Sequence, residues 1–156
     1  MKKLLIMILL TSSVYAQDRA YLPKMREGSK EQSSSLQTSC RQLRQLVEQL
    51  VGVAAWDTQE GLLNNKVAMA LIGQILLIVQ PTNKQIYTQN KEYYQQLWNY
   101  ERMLWSEMWA VSTAELNTAQ ANEACADQIE ILQRRVDAIG KAKSFLGFAY
   151  RMRCHY

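Results

Sequence analysis

Breaks are scarce in this 156-residue sequence, which has two prolines and six glycines. An exported all-β domain needs a turn every eight to twelve residues, so that class is excluded and helices are expected. Histidine is almost absent as well. The single one, His155, lies beside Cys154 one residue from the end of the sequence, and a lone His there cannot form a catalytic relay. There is no CxxCH for haem, no HExxH for zinc, no calcium loop and no phosphate-cradling glycine pattern. Of the acid pairs Glu101 with Glu107 and Asp127 with Glu130, the second falls at i,i+3; such acids are expected on solvated helix faces, and neither spacing implies two carboxyls across a cleft. The expectation is a protein that is not an enzyme and carries no metal and no cofactor.

Long hydrophobic runs are also few, and the most informative one comes first. Lys2 and Lys3 precede the apolar run Leu4–Leu10, and Val14-Tyr15-Ala16 supplies a small-residue cleavage site. This is the pattern of a secretory signal peptide over residues 1–16, with the mature protein starting at Gln17. The run is about half of the roughly 20 residues a spanning helix needs, so it reads as an export tag rather than an anchor. The expected location is periplasmic or secreted.

Removing Lys2 and Lys3 lowers the formal charge from +4 to +2. So small an excess gives no reason to expect nucleic acid as a partner. The charge is uneven, with basic ends around an acidic middle, which allows complementarity within one fold or between copies in a homo-oligomer.

Residues 17–33 contain Pro23, Gly28 and Ser33 without apolar periodicity, and read as a flexible leader. Residues 34–156 read as one helical bundle domain. Ser34 with Gln37 has the form of a helix cap, followed by the apolar stripe Leu36, Cys40, Leu43, Val47, Leu50 and Ala54. Asp57 with Glu60 repeats the capping pattern and opens a second helix that must stop before Pro81. Its apolar residues fill more than one stripe, so it is expected to be the most buried helix. Thr82 with Gln85 opens a third helix. No Gly or Pro follows until Gly140, and an unbroken rod over that length would reach about 87 Å. A break is therefore required, and Asn117 with Gln120 is the favoured place. Gly140 is expected to be a weak point inside the last helix. The fold class is all-α, an up-down bundle of about four helices in which the third and fourth form a long hairpin.

In an oxidising compartment Cys40, Cys125 and Cys154 would give one disulfide and one free thiol. An up-down bundle favours Cys40 with Cys154. Cys125, on the apolar stripe of the last helix, is the alternative partner, and all three pairings remain open.

The main candidate for function is a run of aromatic residues on the third helix. Tyr94, Trp98, Trp105 and Trp109 share one face, with Arg102 placed for a cation-π contact with Trp98. Beside them runs a second stripe, Tyr93, Leu97, Tyr100, Leu104, Met108 and Val111. If the second stripe faces the bundle, the first flanks it and presents Trp, Tyr and Arg to a protein partner. The C-terminal stretch Arg134–Arg153 mixes basic residues with Phe145, Phe148 and Tyr150, a composition suited to peripheral contact with an anionic membrane. The sequence thus points to an exported protein-binding component of an envelope-associated assembly such as a secretion or conjugation apparatus. The alternatives are a periplasmic immunity or inhibitor protein against a toxin or hydrolase, and a membrane-surface binding protein.

Overall fold

The computed structural model describes residues 30–56 and 61–153, apart from the side chains of residues 30–33 and 153. Residues 1–16, expected to be a signal peptide, residues 17–29 of the expected leader, the expected cap at Asp57 with Glu60, Cys154 and His155 lie outside the described residues. Those residues form an all-α helical bundle without strands, with α1 at Lys30–Trp56, α2 at Lys66–Val79, α3 at Lys84–Gln89, α4 at Lys91–Ala121 and α5 at Ala126–Arg153. The chain divides into two units at Gln37/Thr38. Of the first unit, only the opening turns of α1 are described, with Leu36 buried. The remaining description concerns the second unit.

Helix α1 is already helical at Lys30, four residues before the expected cap. Lys30, Glu31 and Gln32 are all good helix formers, so Ser34 and Gln37 sit within the helix rather than opening it. The predicted stripe from Cys40 through Leu43, Val47, Leu50 to Ala54 is buried along its whole length. Helix α2 is shorter than predicted. A 3₁₀ turn at Leu62–Asn64 precedes it, and the cap is Asn65, whose side chain accepts from the backbone N–H groups of Val67 (3.0 Å) and Ala68 (3.1 Å). It ends at Val79, and Gln80 donates its N–H to the Leu76 carbonyl just before Pro81. The third predicted helix is interrupted. Asn83, rather than Thr82, caps α3 by accepting from Gln85 N–H, and at Asn90 the side-chain amide donates to the Ile86 carbonyl where the chain steps into α4.

The turn between α4 and α5 follows Ala121 instead of Asn117. Ala124 N–H bonds back to the Ala119 carbonyl (2.9 Å) and Glu123 N–H to the Gln120 carbonyl (3.2 Å). Glu123, between these bonds, adopts the left-handed conformation with φ 53°. This is the usual closure of a helix C-terminus with glutamate where glycine is the common residue. Gly140, by contrast, stops nothing: α5 passes through it unbroken.

Helices α4 and α5 are the principal packed pair. Glu115 meets Arg135, Trp109 lies over Gly140 and Trp98 meets Tyr150, so the two helices run antiparallel in one register. Helix α1 runs parallel to α4, because Ser39 meets Tyr93 while Arg44 meets Tyr100 and Glu107. Helix α2 packs on both α4 and α5. Among the described helices it has the largest share of buried residues, as expected, but its burial is one-sided: Ala68, Leu71, Ile72, Ile75, Leu76 and Val79 face the interior, whereas Val67, Met69 and Leu77 are exposed. The outer part of the hairpin is thinly covered, and no residue of α5 from 126 to 135 is buried.

A non-glycine residue held at positive φ costs roughly 1 kcal/mol. Glu123→Gly should therefore stabilise the protein by about 1 kcal/mol in urea unfolding. A loss of stability would show that the glutamate side chain supports the turn in a way that outweighs its backbone strain.

Candidate functional site

Helix α4 presents different chemistry on different faces. Toward α1 it offers polar tips on aromatic or acidic side chains spaced seven residues apart. Tyr93 and Ser39 share a hydroxyl hydrogen bond of 2.6 Å, Tyr100 Oη accepts from Arg44 Nε at 3.3 Å, and Glu107 Oε2 accepts from Arg44 Nη2 at 3.3 Å. Arg44 is itself buried, with Glu48 one turn along α1 at 3.8 Å from Nη1. A guanidinium cannot be neutralised by losing a proton at accessible pH, so its burial requires these acceptors.

Toward α5 the contacts are mostly aromatic. The rings of Trp98 and Tyr150 lie 4.4 Å apart, and Trp109 passes 3.9 Å from the position a Cβ on Gly140 would take. Glu101 is buried and accepts a hydrogen bond from the Trp105 indole N–H. Burial pushes the Glu101 carboxyl above the usual range, against the Trp105 hydrogen bond and the positive charges of Lys143 and Arg102, which favour its ionised form. At the start of α4, Tyr94 stacks on Tyr87 at 5.8 Å and meets Tyr93 edge-on at 5.2 Å. Its phenol is raised by burial and then by Tyr93.

The five candidate residues therefore do not form one open face. The second stripe does face the bundle, with Leu97, Tyr100 and Leu104 buried. Trp105, however, is only 2% exposed and belongs to the interior. Tyr94 and Trp98 are half-buried in aromatic contacts, while Arg102 and Trp109 are exposed, Trp109 at 47%. The expected cation-π pair of Arg102 with Trp98 is not formed; Arg102 acts instead on Glu101. Two residues that sequence reasoning missed are Arg44 and Glu101. Glu101 had a usable signal, an acid between tryptophans three residues before and four after it. Arg44 follows stripe residue Leu43 and looks like an ordinary surface cation.

Cys40 and Cys125 carry free thiols. Cys40 is buried, which pushes its thiol up to about 11 and makes it a poor nucleophile. Cys125 is exposed in the turn before α5, not buried on an apolar stripe. Ser39, next to Cys40, meets the first turn of α4, and Cys125 follows the last, a separation of about 45 Å at 1.5 Å per residue. A Cys40–Cys125 bridge is therefore not formed. No group of three or more His, Cys, Asp or Glu side chains among the described residues could hold a metal ion.

Arg44→Met leaves Glu107 beside an apolar side chain and should cost about 3 kcal/mol in urea unfolding. Adding Glu107→Leu should recover part of that loss, and strictly additive losses would rule out the pair. Glu101 has the opposite character. Its raised folded pKa means that the native state holds its proton when the unfolded state has released it, so stability falls as pH rises from the ordinary carboxylate range through that raised value. Glu101→Gln keeps an acceptor for Trp105 and should flatten this decline, giving a higher melting temperature than the parent near neutral pH. A variant with an unchanged pH profile would refute the assignment.

Comparison with protein families, with curated proteins and with solved structures finds no match to this chain.

Proposed function

We propose that this is an exported, non-enzymatic helical protein that binds another protein, as a structural or accessory component of an envelope-associated assembly such as a secretion or conjugation apparatus. The observation that carries the reading is the exposed part of the α4–α5 hairpin. Trp109 is seated against Gly140 with nearly half its surface open, and Arg102 is exposed two turns earlier on the same helix. Farther out, Ile131 is exposed on the unburied start of α5. Trp and Arg on a rigid two-helix support are the residue types that dominate protein-binding energy, and the helix pair holds them with little ordering cost on association. Export is supported by the charged, apolar and small-residue segments of residues 1–16.

A photo-crosslinking side chain at Trp109, placed in the cell that makes the protein, should join the chain to a large envelope complex. Trp109→Ala should reduce capture of that partner by roughly thirtyfold, corresponding to a hot-spot residue, while the melting temperature changes little because the ring is half-open. A crosslink to one small soluble partner would favour an inhibitor or immunity role instead. Unchanged capture by the variant would remove Trp109 from the interface.

A further inference from the structure

The outer face of α2 has a chemistry unlike the rest of the surface. Val67 is 58% exposed and Leu77 61%, with Met69 also open, and Leu63 in the preceding 3₁₀ turn is 60% exposed. Ala70, Gly73 and Gln74 fill the exposed positions between Val67 and Leu77, so beyond Lys66 nothing exposed on α2 bears a charge. From Gly61 to Lys91 the sequence contains no Asp or Glu and three lysines, Lys66, Lys84 and Lys91, all of which are exposed. Lys66 occupies the first position of α2, where the helix dipole favours an acid, and no acid stands in that first turn. Lys84 lies just past the other end. An apolar strip is thus bracketed by cations, one of them placed against the local preference.

The dimensions narrow the choice of occupant. Fourteen residues make about 21 Å of helix, short of the roughly 30 Å hydrocarbon core, and no described helix is long and apolar enough to cross a membrane. A strip that long and roughly 10 Å wide offers about 200 Å², against the roughly 800 Å² each partner gives to a stable dimer. A second copy would need far more surface than this face supplies. A lipid surface needs no minimum area or shape match. It takes apolar side chains at the headgroup boundary while lysines reach outward to phosphate. We infer that the outer face of α2 docks on an anionic phospholipid surface, through Leu63, Val67 and Leu77 and the flanking lysines. This contact is separate from the α4–α5 surface, and each can fail without the other.

The test is sedimentation of the full chain with vesicles of phosphatidylcholine mixed with phosphatidylglycerol, compared with phosphatidylcholine alone. Every variant keeps the run Leu4–Leu10, so differences between variants report on α2. Binding should require phosphatidylglycerol and weaken with salt. Val67→Gln with Leu77→Gln should reduce it about tenfold, with the circular dichroism melt retained because both side chains are already exposed. Lys66→Gln and Lys84→Gln should each reduce it about fivefold at low salt. Equal binding to neutral vesicles, or full binding by the Val67/Leu77 variant, would overturn the inference. So would loss of binding only with Phe148→Ser on α5, or a dimer in sedimentation velocity that the Val67/Leu77 variant dissolves without changing vesicle binding.

Discussion

The position of α1 depends on one buried cation. Arg44 lies in the seam between α1 and α4, and its charge is met by Glu107 and by the Tyr100 hydroxyl. Apolar stripes alone would allow α1 to slide along α4 by a turn at little cost, because Leu and Val side chains are interchangeable as neighbours. A guanidinium has no such freedom: a one-turn slip would separate it from Glu107 and the Tyr100 hydroxyl, its acceptors on α4, while Glu48 on α1 would move with it. The Ser39–Tyr93 hydrogen bond, one seven-residue step earlier on α4, fixes the same parallel register. The antiparallel course of α5 comes from a different source, the compact turn at Glu123 and the aromatic contacts that follow it.

The placement of the aromatic residues follows from this arrangement. With its polar-tipped stripe committed to α1, α4 turns its tryptophans toward α5 and not directly to solvent. Trp105 is interior, Trp98 is paired with Tyr150, and only Trp109 retains a large open surface where Gly140 offers no side chain to cover it. Gly140 lies under the ring, and a Cβ there would stand at an ordinary van der Waals distance of 3.9 Å from it.

The broad architecture was legible in the sequence because it rests on spacing. The α1 stripe, the stop before Pro81, the long hairpin and the inward Leu97–Tyr100–Leu104 stripe all follow from the 3.6-residue period and the fixed φ of proline. The boundaries were less legible, since each depends on a residue that many positions share. Asn65 caps where Asp57 had the more recognisable pattern, Asn90 interrupts a run of good helix formers, and Glu123 takes a conformation normally signalled by glycine. The one-sided burial of α2 was hidden because a helix apolar all round does not reveal which face has a neighbour. Spacing alone leaves Trp105 open between surface and core, because its stripe flanks the inward one and its partner, Glu101, is an acid of a type usually found in solvent.

Amide hydrogen exchange on the whole chain gives the most direct test of the account, whose central claim is that the Arg44 seam binds α1 to α4 as one cooperative unit. The amides of α1 from Cys40 to Leu50 and of α4 from Leu97 to Leu104 should then exchange last and together, with the same opening free energy, while residues 126–135 of α5 exchange earlier. If α1 opens well before α4, with the α4–α5 pair still protected, the seam is not the constraint on which the fold depends.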